Sequence, residues 1–478
     1  MFFRQIYDEK LAQYAYLVAC QRTKEALVID PERDVDRYVR LAAAEGFTIV
    51  AAAETHIHAD FLSGARELAW RYGTLIYLSA EGGPDWQYAW ADEYDAVLLR
   101  DGDTFTVGSI RIQARHTPGH TPEHLGYLIT DTGSGATAPI GLISGDFVFV
   151  GDVGRPDLLE TAAGRQGTMR ASAKQLYRSA QSFLELDDFV QVWPGHGAGS
   201  ACGKALGAVP ESTVGYEKRF NPALAAAEDG ESRFVEYVLS DQPEPPLYFA
   251  RMKALNRQGP PILADLPRPS RLSTDNLETL ATSREAAILD TRSDRHAFME
   301  AHIPGSLHAS LDLNFLNVAG SYVEPERPIY LVVEEHRLEE ALRALVRIGL
   351  DQIDGYLTPT TLEMYAQLGG PLASTEIIDF HQLEHRREAY GVRVLDVRRS
   401  DEYDAGHIPG ALHVPYVQLP ARLGEIPRSP TLLVHCASGA RAAAAVALLE
   451  KHDYRAVLVD GDFENWSNAY AGAVQSVH

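Results

Sequence analysis

The sequence predicts an α/β protein of several domains, and three observations predict it. Its 478 residues exceed what one ordinary core accommodates, giving roughly three units. In the N-terminal half, apolar runs of strand character end repeatedly on a histidine or an aspartate. In the C-terminal half, one strand-and-helix pattern occurs twice.

Taken in order, TIVAAAETH reads as a buried strand ending at His56, and LSGARELAWRYG after it has helical periodicity with Gly73 as its stop. The same grammar places His120 after IRIQARHTPGH, Asp146 at the end of GLISGDF and His196 at the end of FVQVWPGHG. Proline and glycine cluster in DQPEPPLYF and NRQGPPILADLPRPSRL and mark a boundary. We therefore expect a first domain over 1–245 and a linker over 246–271. Beyond it AAILDTR and AHIPGSLH return about 105 residues later as VRVLDVR and GHIPGALH. A period this long implies two tandem α/β domains, 272–373 and 375–478, and not a solenoid of short units.

Composition narrows the function classes. A hydrophobic share of 45% and a charged share of 23% are those of a soluble globular chain, and a formal charge of -23 disfavours general attraction to nucleic acid or anionic lipid, so an anionic substrate must be held by a local pocket. No apolar run is long enough to cross a bilayer, and Asp8 and Glu9 interrupt the apolar stretch a signal peptide needs, so we expect a cytoplasmic protein with no membrane role. The three cysteines, Cys20, Cys202 and Cys436, describe no disulfide framework and are each a possible free thiol.

The string THIHADF puts His56, His58 and Asp60 on one turn, and TPGHTPEH, SGDFVF and PGHG add His120, Asp146 and His196. Imidazole and carboxylate together suit iron, zinc or manganese. One histidine at a strand end is more often an ordinary hydrogen-bonded side chain; four such sites in this order point to a metal centre.

These motifs resemble the metallo-β-lactamase superfamily over about residues 1–245, which implies an αβ/βα sandwich with ligands on loops at strand ends. The usual HxHxDH signature has a further histidine where this chain has Phe61, and the missing imidazole argues for one metal ion. Persulfide dioxygenases of that superfamily hold a mononuclear non-heme Fe(II) by two histidines and a carboxylate, which the resemblance places at His56, His120 and Asp146. Such a facial triad leaves positions open for a persulfide sulfur and O2. By the same resemblance His58, Asp60 and His196 orient ligands and carry protons; the alternative is that they only keep the emptied second pocket polar. FVFVGDVGRPDL after Asp146 is similar to the segment where these dioxygenases carry an arginine near the thiol carrier, which implies substrate binding by Arg155. A pair with Asp157 or Asp152 is the plainer reading. Cys202 lies six residues after His196 and near Lys204; a buried structural cysteine is the reading its residue type favours, while PGHGAGSACGKAL resembles the motif of bacterial fusion persulfide dioxygenases, which implies a persulfide carrier on a lowered pKa.

TLLVHCASGARAAAAVALLEKHDY reads as a strand to His435, a loop, and a helix from near Ala440. Cys436 thus faces a helix N-terminus, where backbone N–H groups around Ser438 and Gly439, with Arg441, favour negative charge on its sulfur. With LDVR and GHIPGALH this domain resembles a rhodanese sulfurtransferase. That implies that the loop from Cys436 to Arg441 binds sulfane sulfur and that Ser438 and Gly439 hold the substrate. Four residues separate Cys436 from Arg441, one fewer than cysteine phosphatases need. In the preceding repeat, aligning YLVV with LLVH puts Glu334 opposite Cys436, so that domain is expected to be catalytically dead and to act as a spacer or docking surface.

The order of the three domains resembles bacterial fusions of persulfide dioxygenase and sulfurtransferase. The resemblance implies oxidation of a low-molecular-weight persulfide, of coenzyme A, glutathione or bacillithiol type, to sulfite, followed by sulfur transfer that yields thiosulfate, in a homo-oligomer serving sulfide detoxification. Two other readings stay open: a thioester hydrolase like glyoxalase II, and a non-catalytic sulfur carrier or sensor.

Overall fold

The computed structural model describes every residue except 159–166, 205, 284, 471–475 and 477–478. The chain divides into two compact units, Met1–Asp265 with Arg347–Gly349, and Leu266–Val346 with Leu350–His478.

In the first unit, β1 (Phe2–Asp8), β2 (Gln13–Ala19), β3 (Glu25–Ile29), β4 (Thr48–Ala53), β5 (Leu75–Ser79) and β6 (Ala96–Leu99) form one sheet in that order. A second sheet has β7 (Thr104–Val107), β8 (Ile110–His116), β9 (Leu125–Asp131), β10 (Gly141–Gly145), β11 (Gln191–Pro194) and β12 (Ser212–Thr213), also neighbours in sequence order. Strand β2 is buried on both faces, with apolar or aromatic residues at every position after Gln13, QYAYLVA. Three cores stack accordingly. Val28, Tyr38 and Leu68 sit between the first sheet and its helices, Val18, Ile112 and Trp193 between the sheets, and Leu142, Leu176 and Phe234 between the second sheet and its helices. These four layers are the sandwich expected from the sequence.

The layering brings the polar strand ends together. Strands β10 and β11 are parallel neighbours, so Asp146 and His196 leave the sheet side by side. A register irregularity between Ile143 and Gly145 turns the chain just before Asp146. The sheets are tied where the strands end: Leu125 N–H donates to Thr55 O at 2.7 Å, and Tyr14 N–H to Gly195 O at 2.8 Å. Residues 246–271, expected as a linker, differ from that expectation: they include helix Phe249–Gln258, and the first unit continues to Asp265.

The second unit contains the two repeats. One sheet has β13 (Ser270–Arg271), β14 (Ala287–Asp290), β15 (Leu307–His308), β16 (Ile329–Val332) and β17 (Ile353–Leu357) in the order β13-β17-β16-β14-β15. The other has β18 (Ile377–Ile378), β19 (Val392–Asp396), β20 (Leu412–His413), β21 (Thr431–His435) and β22 (Ala456–Val459) in the order β18-β22-β21-β19-β20. The two orders are the same, and all these pairs are parallel.

The repeated motifs make the same bonds in both. Arg292 forks onto Asp290 and donates to Ala301 O at 2.9 Å; Arg398 forks onto Asp396 and donates to Gly406 O at 2.8 Å. His302 and His407 each donate from Nδ1 to the carbonyl four residues earlier, at 2.9 Å. LDxR and HIPG therefore bind the scaffold to itself. The register corrects one expectation. Asp290 pairs with Val332 and Asp396 with His435, so the residue opposite Cys436 is Val333 and not Glu334. A continuous apolar run leaves a one-residue slip invisible in sequence; either residue leaves the first repeat without a sulfur carrier.

Candidate metal centre and sulfur site

Nε2 of His56, Nε2 of His120 and the carboxylate of Asp146 converge in the first unit. Asp146 Oδ2 lies 4.0 Å from His56 Nε2 and 3.6 Å from His120 Nε2, and each residue offers a donor atom within 4.8 Å of the others. Ligands about 2.0–2.2 Å from one ion stand roughly 3 Å or more apart, so a small inward movement encloses a metal. Hydrogen bonds also set the tautomers. Thr55 Oγ1 donates to Asp30 at 2.8 Å and hence accepts from His56 Nδ1 at 2.9 Å, while His120 Nδ1 donates to the Arg155 carbonyl at 3.0 Å. Both Nε2 lone pairs are left facing Asp146. Burial holds both imidazoles well below the ordinary value and keeps them neutral. Both oxygens of Asp146 are buried and receive no bond from an N–H or O–H group, and burial pushes that carboxyl up to about 6. Buried carboxylate oxygens to which no N–H or O–H group donates, faced by neutral imidazoles and the Cys202 thiol, fit a cation.

A second donor set abuts the first. His196 Nε2 is 3.4 Å from Asp60 Oδ2 and 3.4 Å from Asp146 Oδ1, and Cys202 joins Asp60 and His196 within 4.8 Å. Asp146 thus faces both sets, one oxygen to each. Gly195 makes this approach possible, since a Cβ there would lie 2.5 Å from Asp146 Oδ1. The Cys202 thiol stands with Asp60 and His196 in the set where Phe61 offers no donor.

The expected lowering of the Cys202 pKa is also corrected. The thiol is only 2% exposed, and burial followed by the charges of Asp146 and Asp60 pushes it well up. Lys204 Nζ is directed instead to the carbonyls of Tyr237 and Ser240. Arg155 is corrected as well. It is buried, forks onto Asp157 at 2.8 and 2.6 Å and donates to Ala201 O at 3.0 Å, so its guanidinium holds the Cys202 loop and is not presented to a substrate.

His58 stands apart from both sets. Its Nε2 lies 3.1 Å from Asp30 Oδ1 and 3.3 Å from Glu54 Oε2; its Nδ1 is buried without a hydrogen bond. Burial alone would lower this histidine, but the two carboxylates outweigh it and hold it well above the ordinary value.

In the second unit, Cys436 is buried after β21, and Gly439 N–H donates to its Sγ at 3.1 Å. Gly439 has φ +93° and caps helix Ala440–Lys451. Arg441, expected to favour negative charge on the Cys436 sulfur, forks onto Glu402 at 2.5 and 2.8 Å, and against burial the charges of Glu402 and Cys436 both hold its guanidinium protonated. Ser438 presents its carbonyl to Arg295 Nη2 at 3.2 Å.

Comparison with known proteins matches the metallo-β-lactamase superfamily model to residues 9–196 and the rhodanese-like domain model to 379–469. A solved metallo-β-lactamase from Staphylococcus aureus subsp. aureus COL is 41% identical, covering 75% of this chain and 98% of that one with a TM-score of 0.66. The chain belongs to the metallo-β-lactamase superfamily. A β-lactamase hydrolase-like protein of Xylella fastidiosa (strain 9a5c) is 29% identical over 47% of this chain, which spans only about half, 52%, of that relative. A mitochondrial persulfide dioxygenase of Bos taurus is 26% identical over 46% of this chain and 75% of its own length. The superfamily fold implies a metal, and the donors above fit one. Among the described residues no helix is long and apolar enough to cross a membrane.

Several residues of the metallo-β-lactamase centre escaped the sequence reading. Asp30 accepts from Thr55 N–H at 2.7 Å, Glu123 from Ile57 N–H at 2.8 Å, and His124 Nε2 from Asp146 N–H at 3.1 Å. Asn256 Nδ2 donates to the carbonyls of His58 and Phe61, and its Oδ1 accepts from Ser63 N–H. Asp30 closes β3 by the same strand-ending grammar and was findable; Glu123 and His124 lie within TPGHTPEH; Asn256 carries no local signal.

Proposed function

We propose that the metallo-β-lactamase domain is a mononuclear Fe(II) persulfide dioxygenase and that Cys436 of the rhodanese domain transfers sulfane sulfur, forming thiosulfate. The reading rests on one observation: two neutral imidazoles with fixed tautomers and a buried carboxylate that receives no N–H or O–H bond converge in the same chain as a cysteine at a strand-to-helix loop. The kinship with a persulfide dioxygenase supports the choice of reaction. Three donors leave coordination positions free, as a facial triad does.

Ferrous iron held by His56, His120 and Asp146 would supply redox chemistry toward O2, which zinc lacks. The chain's own residues do the rest. Thr55 and the Arg155 carbonyl hold the imidazole rings, and His124 fixes the backbone of Asp146. Burial of the pocket excludes bulk water from a reactive sulfur. One persulfide, one O2 and one water give a thiol, sulfite and two protons. At the second site, the Cys436 thiolate attacks the outer sulfur of another persulfide, the S–S bond breaks, and the thiol leaves. Sulfite then takes that sulfur from Cys436, regenerating the thiolate and yielding thiosulfate. Housing both sites on one chain raises the local concentration of sulfite.

The paired donor sets around Asp146 favour a second reading, a binuclear metallo-hydrolase acting on a thioester. Anaerobic Fe(II) loading followed by product analysis over several low-molecular-weight persulfides separates the two. O2-dependent sulfite formation is expected; thioester cleavage by the zinc-loaded protein, without O2 uptake in either form, excludes the dioxygenase.

A further inference from the structure

The repeat that lacks a cysteine reaches the sulfur site of the other. Asp294 accepts from the N–H groups of His296 and Ala297 and so caps helix Arg295–Glu300. The first two residues of that helix point at the neighbouring repeat. Arg295 Nε donates to Asp460 Oδ1 at 2.9 Å, its Nη2 lies 2.8 Å from the same oxygen, and Nη2 also donates to the Ser438 carbonyl at 3.2 Å. His296 Nε2 is 2.6 Å from Asp460 Oδ2.

Asp460 in turn occupies the space beside Gly439, where a Cβ would lie 1.9 Å from its Oδ1 and 3.0 Å from Arg295 Nε. Gly439 is the residue whose N–H reaches the Cys436 sulfur. The left-handed backbone at Gly439, the Asp460 carboxylate and the Arg295 fork therefore interlock directly behind that amide. Phe463 N–H to Ala437 O at 2.9 Å restrains the other side of the loop. Beyond the fork, both repeats line a cavity of about 80 Å³ at Arg441, with Ser293, Ser310 and Asp312 from the first and Ala444 from the second.

We infer that Arg295 is a positioning residue for the sulfur site, holding Asp460 and the Ser438 carbonyl so that the Gly439 amide stays aimed at the Cys436 sulfur. The inference rests on the proposal that Cys436 carries sulfane sulfur. It replaces the expected spacer role of the first repeat: that repeat completes the loop on which the second depends. A hydrogen bond to a sulfur that gains and loses charge acts on the transfer step more than on the encounter with the donor.

The test compares the wild type, Arg295→Ala and Arg295→Lys as full-length proteins, measuring thiosulfate formation from a persulfide and sulfite, the alkylation rate of Cys436, and O2 uptake at the metal centre. Arg295→Ala is expected to lower kcat for sulfur transfer roughly tenfold with KM for the persulfide little changed, and to alter Cys436 alkylation, while O2 uptake stays at the wild-type rate. Arg295→Lys keeps the charge and should recover transfer to within about threefold of wild type. Wild-type transfer kinetics and alkylation in a folded Arg295→Ala protein overturn the inference alone. A wild-type chain that passes no sulfur through Cys436 overturns the underlying function as well. If Arg295→Ala does not fold, the lysine variant decides: a loss there as large as that of removing Cys436, or a raised KM with unchanged kcat, contradicts a positioning role.

Discussion

At the scale of single residues, chemistry is decided by what lies on the far side of each ring. His56, His120 and His196 each have Nδ1 at an oxygen, Thr55 Oγ1, Arg155 O and Ala12 O, and so keep Nε2 for a ligand. His58 has its Nε2 between two carboxylates instead. Spacing in THIHADF made His56 and His58 visible and could not separate them, because their difference arises from Asp30, brought in from the end of β3, and from Glu54, four residues before His58. Asp146→Ala removes the acid shared by both donor sets. Metal content and O2 uptake should fall more than about 100-fold while Cys436 still accepts sulfur; retained O2 uptake would reject Asp146 as a ligand. Asp146 also sets a pH limit. Binding requires its carboxylate, which burial pushes up to about 6, so protons compete with the ion below that pH. Apparent metal affinity should drop about tenfold per pH unit below about 6 in metal-competition titrations, over and above the loss seen with a chelator alone. A flat profile from pH 6 to 5 would contradict the assignment.

Secondary-structure elements were legible where periodicity met punctuation, and obscure where one of these was missing. Strands β4, β10 and β11 are each followed within three residues by the histidine or aspartate of the site, which the apolar run itself announces. Strand β16 is apolar past its end, so its register is not legible from residue pattern and Glu334 was set where Val333 lies. Helix Phe249–Gln258 was hidden between proline-rich flanks that read as linker. Its Asn256 satisfies two carbonyls and one N–H of the loop after His56. Asn256→Ala leaves these buried groups unpaired and should cost about 1–3 kcal/mol in urea denaturation of the metal-free protein. Metal affinity should weaken with it, by roughly 10-fold, through the displaced loop. An unchanged denaturation midpoint would show that water replaces the amide without loss.

Across the whole chain, an internal repeat and two unlike sets of motifs are legible in the sequence itself. The topology shared by the two repeats and the scaffold bonds of LDxR and HIPG explain why they look alike while only one holds a thiol. What the sequence could not supply was proximity: Cys202 beside Asp60, and Arg295 beside the Cys436 loop, join segments far apart in the chain. Separate sites predict separable half-reactions. Cys436→Ser should leave O2 uptake within about twofold of wild type and shift the product from thiosulfate to sulfite, followed by anion chromatography. An unaltered product ratio would remove Cys436 from the pathway.

If His56, His120 and Asp146 hold a single redox-active ion, metal analysis of the anaerobically reconstituted protein, paired with an oxygen electrode, will find one iron per chain and persulfide-dependent O2 consumption matched by sulfite. Two zinc ions per chain, with thioester turnover and no O2 consumption, would contradict that assignment.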